Sequence, residues 1–288
     1  MTERALTWAA EQWGREVRRA DLLHGGWTST MLRLTDADGE RAVLRLMTRE
    51  PWRRHARELL GREAAVQALL AGSAVPAPTS LALDLDGRAG DPAHLMSWLP
   101  GRLELARCDE DLLARLAALL GRIHDFDPGD RRPRRYQSWA PPAKRTMPDW
   151  ARRPATWRAA FDVLAAPPPS YDGRFLHRDF HLGNVLWSDG EVTGVVDWVE
   201  TSWGPAALDV AHAATYLAMM HGPEPAALFE SLCGPVDEGD RYWRVMDVVG
   251  YLPDPVKVAQ PWRDQGIDIT DATVRDRLER RLDAVLTS

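Results

Sequence analysis

The 288-residue chain is 45% hydrophobic and 27% charged, which excludes a disordered or fibrous protein and leaves length for a large core in two domains or lobes. Of its 36 basic residues only Lys144 and Lys257 are lysine and the other 34 are arginine, against 42 acidic residues and a net charge of −6. Lys144 follows Pro-Pro-Ala and Lys257 follows Asp-Pro-Val, so neither completes a Walker A loop and the P-loop nucleotidases are excluded.

Helical spacing runs over residues 3–20, in a stretch charged throughout and without the apolar run of a signal peptide. Gly25 and Gly26 precede the alternating segment TSTMLRLT, and after the Asp-Gly-Glu turn at 38–40 the run RAVLRLM reads as its hairpin partner. Residues 54–72 have helical composition and period, and short strands are predicted near 80–84 and 93–98. Leu-Pro-Gly at 99–101 breaks this pattern, and helices are predicted over 109–125, 153–166, 205–220, 225–233, 238–251 and 271–287. Between them, residues 174–198 read as short strands, two of them joined by a Ser-Asp-Gly turn. The boundary divides a small mixed lobe, 1–98, from a larger helical lobe, 99–288.

No stretch approaches the roughly 18 uninterrupted apolar residues that a membrane span needs. Cys108 and Cys233 lie outside any CxxC spacing, so a cytoplasmic protein without membrane contact is expected. Basic and acidic residues balance over 1–100 (13 and 13) and 101–200 (15 and 15), but number 8 and 14 over 201–288, where the whole net charge lies. A negative region suits a cationic ligand as well as a solvated surface. The arginine cluster at 131–135 is broken by proline in an acidic chain, so it reads as a solvated loop and no nucleic acid is expected.

The segment His177-Arg178-Asp179-Phe180-His181-Leu182-Gly183-Asn184 carries His-Arg-Asp followed by four residues and Asn, with a second acid, Asp197, ending the next apolar strand. Phosphoryl transfer from ATP needs a carboxylate to orient or deprotonate the attacking hydroxyl and oxygen ligands to hold Mg2+ on the phosphates. Asp179 fits the first task, Asn184 and Asp197 the second, and a hairpin between Asn184 and Asp197 would return both ligands to one end of the strands. His177 and His181 share a spacing found in zinc sites, but on a strand-to-loop segment His177 reads instead as fixing the loop, and His181 as either shaping the same loop or an incidental surface histidine.

The chain resembles the aminoglycoside phosphotransferase and choline kinase-like family over nearly its full length. The similar pieces are HRDFHLGN, GVVDW, REAAVQALLAGSAVPAP, HLMSWLPGR, LLGRIHDFDP and WGPAALDVAHAA, in the family's order. The resemblance implies an α+β, bilobal protein-kinase-like fold, with a small antiparallel-sheet N-lobe that binds nucleotide and a larger mainly helical C-lobe that carries the catalytic loop and substrate site. It implies Asp179 as catalytic base, Asn184 and Asp197 as Mg2+ ligands, ATP against a hinge around Met96, Trp98 and Leu99, and Asp209 as a brace for the catalytic loop.

Where many such kinases place a lysine, this chain has none before residue 144. Arg45 on the strand AVLRLM is assigned the phosphate contact, positioned by Glu63, and the backbone of the loop from Gly26 to Ser29 is assigned to capping the phosphates. The surface readings of Arg45 and Glu63, an ordinary strand arginine and a solvated helix glutamate, stay open. Most of the 13 tryptophans read as core; Trp98, Trp198 and Trp203 flank the expected site. The leading expectation is an ATP- and Mg2+-dependent kinase of a cationic small-molecule hydroxyl of aminoglycoside type, with Glu200, Asp237, Glu238 and Asp240 as acidic contacts by charge alone. A macrolide, homoserine or choline kinase, or a catalytically silent nucleotide-binding protein, are the alternatives.

Overall fold

The computed structural model describes residues 3–23, 28–235 and 239–287. The chain divides into two compact units: Met1–Arg102 with Leu186–Ser188 and Thr193–Glu200, and Leu103–Val185 with Asp189–Val192 and Thr201–Ser288.

The first unit begins with α1 (Glu3–Trp13), which buries Ala5, Trp8 and Ala9 on one face. The helix stops well short of residue 20. Gly14 takes φ +68, a left-handed conformation that L side chains resist, and ends it there. The residues beyond form a strand that hydrophobic periodicity does not announce, β1 (Arg19–Leu23), in which Arg19 and Leu22 face solvent. It edges a five-stranded antiparallel sheet of order β1-β2-β3-β5-β4, with β2 (Thr30–Thr35), β3 (Arg41–Leu46), β4 (Ser80–Asp84) and β5 (Ala93–Ser97). The β2–β3 pair is the expected hairpin, with Leu32 opposite Leu44 and Met31 opposite Arg45.

Alternation sorts this sheet into two faces. Leu32, Leu34, Ala42, Leu44, Leu46, Ala93 and Leu95 form a core with α1, each large side chain there contributing about 1.5–3 kcal/mol on burial. Met31, Arg45, His94 and Met96 alternate with them, and α2 (Ala56–Leu70) brings Glu63 to Arg45 and His94 and Gln67 to Met96. In the later part of the chain, β7 (Val185–Ser188) and β8 (Glu191–Val195) pair across the two-residue turn Asp189-Gly190. Both turn residues have positive φ, +52 and +81, as the hairpin-forming type I′ turn requires. Trp187 exchanges two backbone hydrogen bonds with Arg102, both 2.9 Å, and a short turn at Trp198–Glu200 follows.

The second unit is mainly helical: α3 (Glu110–His124), α4 (Pro154–Ala165), α5 (Ala207–His221), α6 (Pro223–Leu232), α7 (Asp240–Gly250), α8 (Ala259–Asp264) and α9 (Asp271–Thr287). Asp109 caps α3 by accepting the Leu112 amide at 3.2 Å. Two strands accompany the helices, β6 (Gly173–Leu176) and β9 (Ser202–Pro205), paired antiparallel. The sequence does not announce β9, because Ser-Trp-Gly-Pro lacks strand composition. Its glycine is there for room: a Cβ on Gly204 would lie 2.8 Å from the Tyr136 ring. The α5 helix is the hub, packed against α6, α7 and α9. Its polar residues Asp209, His212 and Tyr216 are nevertheless buried, and their i, i+3, i+7 spacing puts them on one stripe. Among the described residues no helix is long and apolar enough to cross a membrane.

Candidate active site

The loop after β6 is fixed from below by one carboxylate. Asp209, fully buried at the start of α5, accepts the backbone N–H of His177 at 2.9 Å and of Arg178 at 2.7 Å, and faces Nε2 of His124 at 3.2 Å. Burial alone would raise its pKa; His124, His177 and Arg178 outweigh that and hold it below the usual carboxylate range. Two consecutive amides can converge on one side chain because Arg178 adopts φ +78, a strained conformation for a non-glycine residue. The Arg178 guanidinium is buried over the face of Trp139, 4.0 Å from the ring centroid.

This strain presents Asp179, whose side chain is one-third exposed (33%). Its amide donates to Nδ1 of His177 at 3.2 Å. Nδ2 of Asn184 donates to the Asp179 backbone oxygen at 2.8 Å and to Oδ2 at 3.2 Å, while Oδ1 faces Nε2 of His212 at 3.1 Å. Burial would raise the Asp179 carboxyl, but the imidazoles of His181, His212 and His177 outweigh it and hold the group well below the ordinary carboxylate range. His212, flanked by carboxylates, carries the cation: against burial, Asp247 and Asp179 raise it to about 9. His181 stays neutral, lowered to about 4 chiefly by burial despite Asp179.

His181 caps the short turn Leu182–Asn184, its Nδ1 accepting the Gly183 amide at 3.0 Å. Its ring stacks on Tyr216 at a centroid distance of 4.0 Å. His177 and His181 are thus each committed through Nδ1 to a backbone amide. Both side chains shape the loop, and the zinc spacing they share reflects that shared task. With Nδ2 of Asn184 turned to two Asp179 oxygens, its amide oxygen is the atom left to ligate a cation.

In the first unit, Arg45 is buried on β3 with Nη1 2.9 Å from both carboxylate oxygens of Glu63 and Nη2 3.2 Å from Oδ2 of Asp197. Glu63 is 1% exposed and also meets Nδ1 of His94 at 3.1 Å, and Nε2 of His94 reaches Ser80 at 2.9 Å. Burial opposes both charges, yet Asp197 and Glu63 raise the Arg45 pKa, and Arg45 and His94 lower that of Glu63. The surface readings of Arg45 and Glu63 are therefore replaced by a buried ion pair. Asp197, a predicted site acid, has φ +63, a left-handed backbone that non-glycine residues seldom adopt.

The remaining expected residues are distributed unevenly. Met96 is buried on β5 against Gln67. The Trp98 ring is flanked by Arg33 and Arg41, each 5.8 Å from its centroid. Ser29 is buried, its hydroxyl without a hydrogen bond among the described residues. Gly26, Asp237 and Glu238 lie outside the described residues. Trp198 is core, its indole N–H on the Val195 carbonyl at 2.9 Å, and Trp203 lies under Arg132 at 4.5 Å. Asp240 opens α7, and Glu200 ends the turn after Asp197.

The model of the phosphotransferase enzyme family matches residues 20–245. The chain belongs to that family. No curated protein matches its sequence. Among solved structures it is similar to aminoglycoside phosphotransferase APH(4)-Ia, with a TM-score of 0.66 and 19% identity over 99% of both chains. A thermostable mutant of APH(4)-Ia in ternary complex with AMP-PNP and hygromycin B gives a TM-score of 0.66 and 19% identity, covering 99% of this chain and 98% of that one. The macrolide 2′-phosphotransferase MphH of Brachybacterium faecium gives 0.60 and 16%, over 98% of both. The fold is accordingly the protein-kinase-like α+β fold implied by the sequence resemblance, and the protein is a phosphotransferase.

Within this phosphotransferase, His212, Asp247 and Tyr216 join the Asp179 cluster without having been singled out in the sequence. Their one signal is polarity where the α5 and α7 periods call for core: His212 stands three residues after Asp209 in a helix otherwise dominated by apolar residues.

Proposed function

We propose that the protein is an ATP- and Mg2+-dependent O-phosphotransferase that transfers the γ-phosphoryl group to a hydroxyl of a cationic, aminoglycoside-type small molecule. The observation that carries this reading is the presentation of Asp179: a part-exposed carboxylate on a strained loop, with one oxygen held by His212 and the other by Asn184. Each carboxylate oxygen offers about two acceptor sites, so both retain room for a substrate O–H. A carboxyl held so far below its usual range is a weak base in the ground state. Its work is to orient the hydroxyl and take the proton late, as the new O–P bond forms and the bond to the departing nucleotide oxygen breaks.

Asn184 and Asp197 offer an amide oxygen and a carboxylate, the hard oxygen donors that suit Mg2+, and are the residues we assign to hold it. When bound, the ion would neutralise the charge on the nucleotide phosphates. Arg45, kept cationic by Glu63 and Asp197, is assigned to the phosphates; Glu63 and His94 set its position. Met96, Trp98 and Ser29 are assigned to the nucleotide and Asp209 to the loop. APH(4)-Ia, captured with AMP-PNP and hygromycin B, supports the nucleotide and the antibiotic class, as does the acidic excess over 201–288.

Incubating the protein with magnesium ATP and a panel of aminoglycosides, macrolides, choline and homoserine, read by mass, tests the reading. An aminoglycoside heavier by one phosphoryl group, absent with Asp179→Asn, is the expected product. A phosphorylated macrolide, choline or homoserine instead would move the substrate class and keep the chemistry, and no Asp179-dependent product would favour a silent binding protein.

A further inference from the structure

We propose that His212, wedged between Asp247 and Asp179, is a positioning residue for phosphoryl transfer that fixes the rotamer of Asp179. The inference rests on the reading of Asp179 as the residue that orients the acceptor hydroxyl. It adds a residue from a different part of the chain, acting on that carboxylate through a second buried acid.

The geometry leaves little choice of protonation state. Nδ1 of His212 lies 3.0 Å from Oδ1 of Asp247 and Nε2 lies 3.1 Å from Oδ1 of Asp179. Both acceptors are carboxylate oxygens, so both ring nitrogens donate, and a doubly donating imidazole is an imidazolium. Asp247 is 1% exposed, and its other oxygen has no hydrogen-bond partner among the described residues, so its charge falls chiefly on His212. The ring is held on both sides, parallel to Tyr251 at 5.9 Å and edge-on to Trp139 at 5.1 Å. The Tyr251 hydroxyl lies 3.4 Å from Nδ1, and the neutral His181 ring is 5.7 Å away.

Asp179, His181 and His212 also lie close enough together to suggest a metal site. The hydrogen bonds argue against it. Nδ1 of His181 accepts the Gly183 amide, so its Nε2 bears the hydrogen and offers a metal no lone pair. What remains is a relay of charge, carboxylate to imidazolium to carboxylate, ending at the atom that meets substrate. One helix, α5, thus sets the catalytic loop twice: Asp209 grips its backbone and, one turn later, His212 grips its functional side chain.

The test uses the full-length protein with Asp179→Asn, His212→Ala, His212→Gln and Asp247→Asn, read in two ways. Histidine 15N spectra at neutral pH are expected to show both ring nitrogens of His212 protonated in the wild type and one bare in Asp247→Asn. Steady-state kinetics use magnesium ATP with the acceptor the wild type phosphorylates in the panel, and ADP release with water alone. His212→Ala should lower kcat about 100-fold with the ATP KM within about twofold, and His212→Gln, which keeps one donor, should recover about tenfold of that loss. A misaimed Asp179 should also waste nucleotide, so the ratio of phosphorylated product to ADP falls, a change that a merely structural role would not produce. A neutral His212 in the wild type, or wild-type kcat and coupling in His212→Ala beside an inactive Asp179→Asn, overturns the proposal alone. A fully active Asp179→Asn overturns the reading beneath it and the proposal with it.

Discussion

Nη2 of Arg45 lies 3.2 Å from Oδ2 of Asp197, while Nη1 of the same guanidinium takes both oxygens of Glu63. A single cation therefore serves two carboxylates, one of them fully buried. The planar fork of arginine aims separate nitrogens at the two carboxylates, where lysine would have to reach both from a single nitrogen at the end of its stem. In this chain the arginine does more than restore a missing charge, because it ties the residue assigned to the phosphates to an acid assigned to the metal.

Removing that cation should be costly in two separable ways. Arg45→Ala leaves Glu63 buried with the His94 imidazole beside it but without its guanidinium, and breaking such a pair costs about 3–5 kcal/mol, visible as a lower Tm. Nucleotide affinity should fall at least about tenfold, a loss of about 1.4 kcal/mol, in a titration with magnesium ATP. An unchanged ATP affinity in a folded Arg45→Ala protein would remove Arg45 from the phosphate contact.

The arginine also makes a chemical prediction. Lys144 and Lys257 are the sole lysines, and the Lys144 amine is already donated to the Gly250 carbonyl at 2.7 Å. A nucleotide acyl phosphate, which acylates amines near its binding site, should leave no ATP-protected adduct on the wild type. Arg45→Lys should gain one at position 45. Mass spectrometry of the digested protein reads both outcomes, and an ATP-protected adduct at Lys144 or Lys257 would contradict the assignment of Arg45.

Much of the fold was legible because the signals were local. The β2–β3 hairpin and the Asp189-Gly190 turn follow from alternation and turn chemistry over a few residues. Lacking local signals, β1 and β9 are short, one an edge with Leu22 turned outward, the other a Gly-Pro strand that exists because β6 supplies its partner. The same division runs through the site. Asp179 and Asn184 sit five residues apart in one motif, whereas His212 and Asp247 come from separate helices, and nothing in either helix sequence says that the two will meet. Trp98 shows the same limit: its place beside the expected hinge can be read from the sequence, whereas its flanking by Arg33 and Arg41 depends on strand pairing that no local spacing announces.

Asp209 should separate binding from turnover. Asp209→Asn replaces one acceptor oxygen with an amide that faces backbone N–H groups, so a buried donor is left unpaired at about 1–3 kcal/mol. The loop loses its reason to hold φ +78 at Arg178, and Asp179 loses its aim. We expect kcat to drop about 100-fold while the ATP KM changes by less than about threefold, with a Tm lower by several degrees. A variant with wild-type kcat would show that the loop holds its shape without the carboxylate.

The last prediction concerns stability and pH, in a cluster away from the catalytic loop residues named above. Glu230 on α6 is 6% exposed and accepts from Arg244 on α7 at 2.8 and 2.7 Å and from Arg281 on α9. Burial would raise its pKa, but the two guanidinium groups outweigh it and hold the carboxyl below its usual value. A carboxyl depressed in the folded state contributes stability that is fully present above its unfolded value, about 4.3, and is lost as pH falls through the folded one. Glu230→Gln should therefore lower stability at pH 7 by about 3–5 kcal/mol, since it leaves two buried arginines without their anion. The gap between wild type and variant should narrow as the pH is taken below about 4, because the wild-type carboxyl then becomes neutral as well. Thermal unfolding of both proteins at pH 7 and near pH 3 measures it. A gap that keeps its size at the acid end would mean that packing at position 230, rather than its charge, joins α6 to α7 and α9.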